Sequence, residues 1–242
     1  MARDTALQAR AARTGETVFS IYSWSAPTLS FGRNQPARGR YDLRTIRASG
    51  LDVVRRPTGG RAILHHREVT YSVTAPIDQS LPLRETYTRI NRILQSGLSR
   101  LGVLVESAPR SERAAVPSAR PCFAAPSEGE LVAEGAKLVG SAQWRDGGAL
   151  LQHGSILVDD DQSSLPVFAS DSGSFDTTIP APATLQAILG RSPDVREVAT
   201  AMFDAVRTLE DEDASPLAEL AIRDETLAHV PYFLDEDWTW RR

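Results

Sequence analysis

The chain has 242 residues, 41% of them apolar and 24% charged, as in ordinary globular proteins rather than disordered ones. A formal net charge of −4, with acids and bases interspersed, argues against a nucleic-acid field or a polybasic membrane patch. No apolar run approaches the roughly 20 residues a bilayer needs, and MARDTALQARAART lacks the apolar segment of a signal peptide, so a cytoplasmic protein is expected.

Residues 4 to 13 read as a short helix, followed by the β-branched and aromatic run TVFSIYSW (17 to 24), a strand. TLSF (28 to 31) is a second strand, YDLRTIRASG (41 to 50) a helix closed by Gly50, and LDVVRR (51 to 56) a third strand broken by PTGG. RAILHH and EVTYSVTA (68 to 75) resume extended structure. Apolar residues at steps of three or four between 84 and 101 mark an amphipathic helix. After VLVE (103 to 106), 107 to 130 is a Pro-, Ser- and Ala-rich loop too long for an ordinary connection. ELVAEG, KLVGSAQWR and ALLQHGSILV (130 to 158) form an antiparallel meander with a tight turn at Gly147 and Gly148. Beyond 161 helices dominate: 184 to 190, 195 to 209 and 216 to 230. The pattern predicts an α+β protein with a mixed, largely antiparallel sheet flanked by helices. The simplest organisation is a single domain over 1 to 242 with a helical flank from about 161, where a boundary would otherwise fall.

Several residues carry chemical potential. Cys122 is the only cysteine, so no internal disulfide forms and a reducing compartment fits. By residue type it reads as a small buried hydrophobe, but Pro121 and Pro126 bracket it in a loop with no regular core face, which suits an accessible thiol. As a nucleophile it needs a cationic neighbour such as Lys137 or Arg120. RRPTGG sets two side-chain-free residues beside two arginines, where backbone approaches a ligand closely, although a plain hairpin turn accounts for it equally. His65 and His66 on one strand point to opposite faces, so at most one faces a site. Four histidines, one cysteine and no HExxH spacing argue against a metal. His153, following a strand of buried type, reads equally as a satisfied core histidine. Lys137 opens the buried-looking run LVGSAQW, where a lysine is costly unless paired or functional.

Taken together, IYSWSAPTLSFGRNQ (21 to 35), VVRRPTGGRAILHHREVTYSV (53 to 73) and PCFAAPSEGELVAEGAKLVGSAQWRDGGALLQHGSILVDDD (121 to 161), with a weaker tail DEDWTWRR, resemble the lipoate and biotin protein ligase superfamily. The closest likeness is to its LipM-type octanoyltransferase branch. The resemblance implies the class II aminoacyl-tRNA synthetase-like catalytic fold and an acyl tunnel lined by the RRPTGG turn and the His65 strand. Substrate-binding residues are then Arg56, Gly59, Gly60, His65, Gly140, Ser141, Gln143, His153 and Gly154. Lys137 matches the family's signature lysine, which polarises a thioester carbonyl, and Cys122 matches the transferase nucleophile. The implied donor is octanoyl-acyl carrier protein and the implied acceptor a lysine of a lipoyl domain or glycine-cleavage H protein, with no ATP, metal or other cofactor and a monomeric enzyme. At about 0.8 kcal/mol per methylene, a tunnel of this kind gives a graded preference for eight carbons.

Three departures from the family pattern bear on this. Family members carry more chain before the first helix, so either a first strand is missing here or the start codon is misplaced. His66 stands where many have Asp. Arg61 stands where many ATP-dependent ligases have a third glycine, which favours transferase. The competing readings are an ATP-dependent lipoate protein ligase using Lys137 with Cys122 incidental, and a non-catalytic acyl-binding homologue.

Overall fold

The computed structural model describes residues 1–78, 82–109, 122–124, 126–170 and 180–241. A six-stranded sheet runs in the order β1 (Val18–Tyr22), β5 (Glu68–Pro76), β9 (Ala149–Leu157), β8 (Ala136–Asp146), β7 (Leu131–Ala133), β6 (Glu106–Ser107), with every pair antiparallel. A second sheet has three strands: β2 (Thr28–Phe31) lies parallel to β3 (Asp52–Arg55) and antiparallel to β4 (Ile63–His65). Around them pack α1 (Ala2–Thr14), α2 (Leu43–Ala48), α3 (Leu83–Arg100), α4 (Leu185–Leu189), α5 (Val195–Leu209), α6 (Arg223–Leu234) and α7 (Glu236–Thr239). None of the described helices is long and apolar enough to cross a membrane.

The alternation in EVTYSVTA explains how β5 serves two layers. Val69, Tyr71 and Val73 join Ile90, Leu94 and Leu98 of α3 and Met202 of α5 in the main core. The helices approach so closely at Gly97 that a Cβ there would lie 2.4 Å from Met202 Sδ. The other face of β5 carries Glu68, Thr70, Ser72 and Thr74, all buried. On that side His153 of β9, opposite Ser72, hydrogen-bonds Asp4 of α1, while Gln8 Nε2 of α1 donates to Ala149 O at 3.1 Å. A polar sheet face is thus covered by a helix that buries Asp4 and Gln8 beside Ala6, Leu7 and Ala11.

A second core forms under the small sheet from Leu29, Phe31, Tyr41, Ile46, Leu64, Leu165 and Phe168, with Trp240 packed on it. Arg55, fully buried, sends Nε to Trp238 O and Thr239 O at 3.1 and 2.9 Å and Nη1 to Gly32 O at 2.6 Å. The first arginine of RRPTGG therefore fastens α7 to the small sheet, and only the second turns toward the site.

The expected α+β architecture is found, and Gly147 and Gly148 make the turn between β8 and β9 with φ of 56° and 86°. Three details differ. The mixed pairing is confined to a separate small sheet. The helix expected at 216–230 starts at Arg223 after a 3₁₀ turn, Glu219–Ala221, and continues through Pro231 to Leu234. His153 lies inside β9 instead of following it. Most of the long loop, with Arg120 and Pro121, lies outside the described residues.

Candidate active site

A cavity of about 540 Å³ opens where the large sheet, the small sheet and the 57–61 turn meet. This is within the ~300–1,000 Å³ of small-ligand sites. All eleven residues singled out from sequence line it: Cys122, Lys137, Arg56, Gly59, Gly60, His65, Gly140, Ser141, Gln143, His153 and Gly154. His66 is half-exposed outside the cavity, with Nδ1 4.0 Å from Asp161 Oδ2.

Cys122 opens a single 3₁₀ turn, Cys122–Ala124, pinned when the Cys122 amide donates to Ala62 O at 3.2 Å. Phe123 packs with Ile63 and Leu157 beneath it. Lys137 enters from the start of β8, next to a register shift against β7. It crosses Gly140, where a Cβ would lie 3.1 Å from both Lys137 Cε and Phe123 Cζ. Its ammonium reaches Cys122 O at 2.8 Å, Cys122 Sγ at 3.4 Å and Glu130 Oε1 at 2.8 Å. Three N–H bonds thus have three acceptors. The Lys137 side chain is 1% exposed. Burial alone disfavours its charge, but the Cys122 sulfur and the Glu130 carboxylate outweigh that and hold its pKa above the usual lysine value. Glu130 is itself fixed by the Ser127 amide at 2.6 Å.

Arg56, also buried, has no carboxylate among its hydrogen-bond partners in the described residues. Its Nη1 donates to Ser30 O and Oγ at 3.1 and 2.7 Å, and its Nη2 to Gly59 O and Arg61 O at 3.1 and 2.8 Å. The guanidinium therefore holds the turn to β2, and burial lowers its pKa to about 10 against the pull of Cys122 and Tyr41. The turn can lie there because β2 is followed by Gly32, where a Cβ would be 2.0 Å from Gly60 O. A Cβ on Gly59, in contrast, meets nothing within 4 Å, so this position faces open space.

Both histidines are engaged at both nitrogens. His65 Nδ1 lies 3.2 Å from Glu68 Oε1 and Nε2 lies 2.7 Å from Ser30 Oγ, while Trp24 stacks on the ring at 4.3 Å. The carboxylate holds the proton on Nδ1, so Nε2 accepts from the Ser30 hydroxyl, whose oxygen accepts from Arg56. His153 repeats the pattern, with Nδ1 3.1 Å from Asp4 Oδ2 and Nε2 2.7 Å from Thr58 Oγ1. Burial pushes His153 below its ordinary pKa despite Asp4, so its ring is neutral at pH 7. Neither ring has a nitrogen left for a substrate, and each presents a held ring surface to the cavity.

On the β8 side, Gln143 Nε2 donates to Gln152 Oε1 at 2.7 Å and Gln152 Nε2 to Tyr71 OH at 2.9 Å. Tyr71 OH and Ser141 Oγ then lie 2.6 Å apart. Gly154 sits under this chain of amides and hydroxyls, where a Cβ would be 2.1 Å from Gly140 O and 2.7 Å from Tyr71 Cε1. Sequence reading missed Glu130, Glu68, Asp4, Ser30 and Thr58. Only Glu68 had a local signal, three residues after His65. Asp4 acts on a residue 149 positions away, with no pattern to announce it.

The lipoyl protein ligase A/B catalytic domain model matches residues 1–207. Octanoyltransferase LipM of Kyrpidia tusciae is 47% identical over 154 residues, covering 60% of this chain and 56% of that protein. The chain spans little more than half the length of the curated relatives it matches. Among solved structures, lipoate-protein ligase A bound with ATP superposes with a TM-score of 0.79 over 99% of this chain and 92% of its own at 19% identity. A bi-partite lipoate protein ligase studied with its E2 lipoyl domain, from Thermoplasma acidophilum, gives 0.73 over 98% and 91%, also at 19%. At that identity the structures establish the fold, and with the match over 1–207 the chain belongs to the lipoyl protein ligase A/B catalytic domain family.

Proposed function

We propose that this chain is an octanoyltransferase of lipoate assembly, acting as one catalytic unit. It takes an octanoyl group from the thioester of acyl carrier protein onto Cys122 and passes it to a lysine of a lipoyl domain or glycine-cleavage H protein. The observation that carries the reading is Cys122 Sγ lying 3.4 Å from the buried Lys137 ammonium on the wall of one cavity. A cation at that distance stabilises a thiolate, the nucleophilic form of cysteine. The matches to octanoyltransferases and a lipoyl-domain ligase support the substrate classes.

In the first step the Cys122 thiolate attacks the thioester carbonyl, the carrier's C–S bond breaks, and the carrier sulfur leaves as a thiolate that takes a proton from water. As charge moves from sulfur to the carbonyl oxygen, the Lys137 N–H aimed at Sγ turns to that oxygen, while its bonds to Glu130 and Cys122 O keep the ammonium in place. In the second step the acceptor amine attacks the acyl-enzyme, the C–N bond forms, the Cys122 C–S bond breaks, and the amine proton passes to the sulfur. Amide formation from a thioester runs downhill, so the scheme needs no nucleotide. Arg56, the two histidines and the four glycines shape the wall, and the apolar chain lies along Gly59, Gly60 and Ile63.

Incubation with octanoyl-acyl carrier protein is expected to add one octanoyl group to Cys122, visible by intact mass, released by hydroxylamine and lost in Cys122→Ala. Modification of the acceptor that requires ATP and proceeds normally in Cys122→Ala would replace this reading with a ligase.

A further inference from the structure

The cavity wall sets an oxidisable sulfur against a nucleophilic nitrogen. Cys122 is half-buried on that wall, so a small oxidant in the cavity reaches it, and as the only cysteine of the chain it has no internal disulfide partner. The nitrogen that faces it is Lys137 Nζ, 3.4 Å from Sγ. Four flexible carbons carry that nitrogen, and Gly140 leaves it room, since a Cβ there would lie 3.1 Å from Lys137 Cε and 3.3 Å from Nζ. Arg56, the other cation that feels the sulfur, is tied by four hydrogen bonds to Ser30, Gly59 and Arg61 and stays charged at neutral pH.

A lysine nitrogen attacks only when it has lost its proton, and the surroundings of Lys137 set when that happens. Two acceptors of opposite charge hold the ammonium, the Cys122 sulfur and Glu130 Oε1 at 2.8 Å, while burial of a side chain only 1% exposed works against its charge. Oxidation of the sulfur to a neutral sulfenic acid removes one of these anions. Glu130 then takes the proton across 2.8 Å, and the buried ion pair becomes a neutral acid and a neutral amine beside an electrophilic sulfur.

We propose that Cys122 and Lys137 form a reversible covalent modification site, in which hydrogen peroxide joins the sulfur to the lysine nitrogen as a sulfenamide. In the first step the Cys122 thiolate attacks one peroxide oxygen, the O–O bond breaks, and hydroxide leaves and is protonated to water. Sulfur is oxidised by two electrons to the sulfenic acid, and peroxide is reduced. In the second step the Lys137 amine attacks that sulfur, the S–N bond forms, the S–O bond breaks, and hydroxide leaves as water with the proton lost by nitrogen. Sulfenic acids condense with thiols and with nitrogen in this way, and the bond keeps sulfur from the irreversible sulfinic state. A reducing thiol reverses it by attacking sulfur and releasing the amine, and a second thiol resolves the mixed disulfide. Formation of the bond needs only the geometry of the pair; its effect on turnover rests on the acyl-transfer reading, because it ties up the nucleophile and the oxyanion donor together.

The test treats the unsubstituted chain with hydrogen peroxide, blocks free thiols with N-ethylmaleimide in denaturant and cleaves after glutamates. Glu128, Glu130 and Glu134 lie between the two residues, so cleavage parts Cys122 from Lys137 unless they are bonded. The expected product is the Cys122 peptide joined to the Lys137 peptide, lighter than their sum by two hydrogens and separated again by dithiothreitol. Octanoyl transfer should fall in step with the cross-linked fraction and return with dithiothreitol. In Lys137→Arg the same exposure should carry Cys122 on to sulfinic acid, which dithiothreitol does not reverse. Peptides that stay separate while the sulfur gains oxygen overturn the proposal. So does a loss of two hydrogens within the Cys122 peptide alone, which puts the bond on a backbone nitrogen. Should Lys137→Arg not fold, the peptide map of the unsubstituted chain decides by itself. A chain that forms the cross-link but transfers no octanoyl group keeps this proposal and loses the transfer reading, and one that transfers normally without forming it does the reverse.

Discussion

Glu130→Gln tests the electrostatics at the centre of the site. Lys137 and Glu130 are 2.8 Å apart, with side chains 1% and 7% exposed, so water does little to screen them. Breaking a buried pair by removing one partner leaves an uncompensated charge, at a cost of ~3–5 kcal/mol. In a chain of this size each kcal/mol moves the thermal midpoint by about 2–4 °C, so the variant should melt roughly 6–20 °C lower. Lys137→Met/Glu130→Gln, which removes both charges while keeping volume, should recover most of that loss. Urea and thermal unfolding of the two singles and the double measure the coupling, and acyl transfer should be lost in both variants that lack Lys137. The pH behaviour follows from the raised Lys137 pKa. A cation with a raised folded-state value contributes stability fully present below the unfolded value and lost as pH rises through the folded one. The pair should therefore be at full strength at neutral pH and fade only above about 10.5. A Glu130→Gln chain as stable as its parent, or a double as unstable as the single, would refute the argument.

Three further outcomes follow from the site. Gly154→Ala should cost about 1–3 kcal/mol in urea unfolding, because the new Cβ meets Gly140 O at 2.1 Å and backbone does not yield. Gly59→Ala should fold within about 0.5 kcal/mol of the parent yet raise KM for the octanoyl donor, since its Cβ meets nothing. Because burial lowers the pKa of His153, the unfolded chain binds that proton more readily. Stability should then fall as pH drops below about 6.5, less steeply in His153→Gln, and equal slopes in parent and variant would remove His153 as the cause.

The strands and helices were largely legible because their signals are local. TLSF matches β2 residue for residue, and the spacing over 195–209 matches α5. One departure was local too: 216–222 has helical composition, yet it forms only the 3₁₀ turn Glu219–Ala221 before the helix begins at Arg223. At the site, residue types and family motifs were enough to name the cavity wall. They did not show what holds the histidines, because the hydroxyl and carboxylate that occupy His153 come from Thr58 and Asp4, 95 and 149 positions away.

The sequence by itself determined that one thiol and one costly lysine stand near glycine-rich turns, since residue identity and spacing set which chemistry is available. Only the tertiary structure decided that Lys137 meets Cys122 and Glu130 together, and that Arg55 fastens α7 while Arg56 holds the turn. Charge, burial and hydrogen bonding depend on distance through space. Those distances are set when non-adjacent strands pair and helices close over them, and no window of sequence contains them.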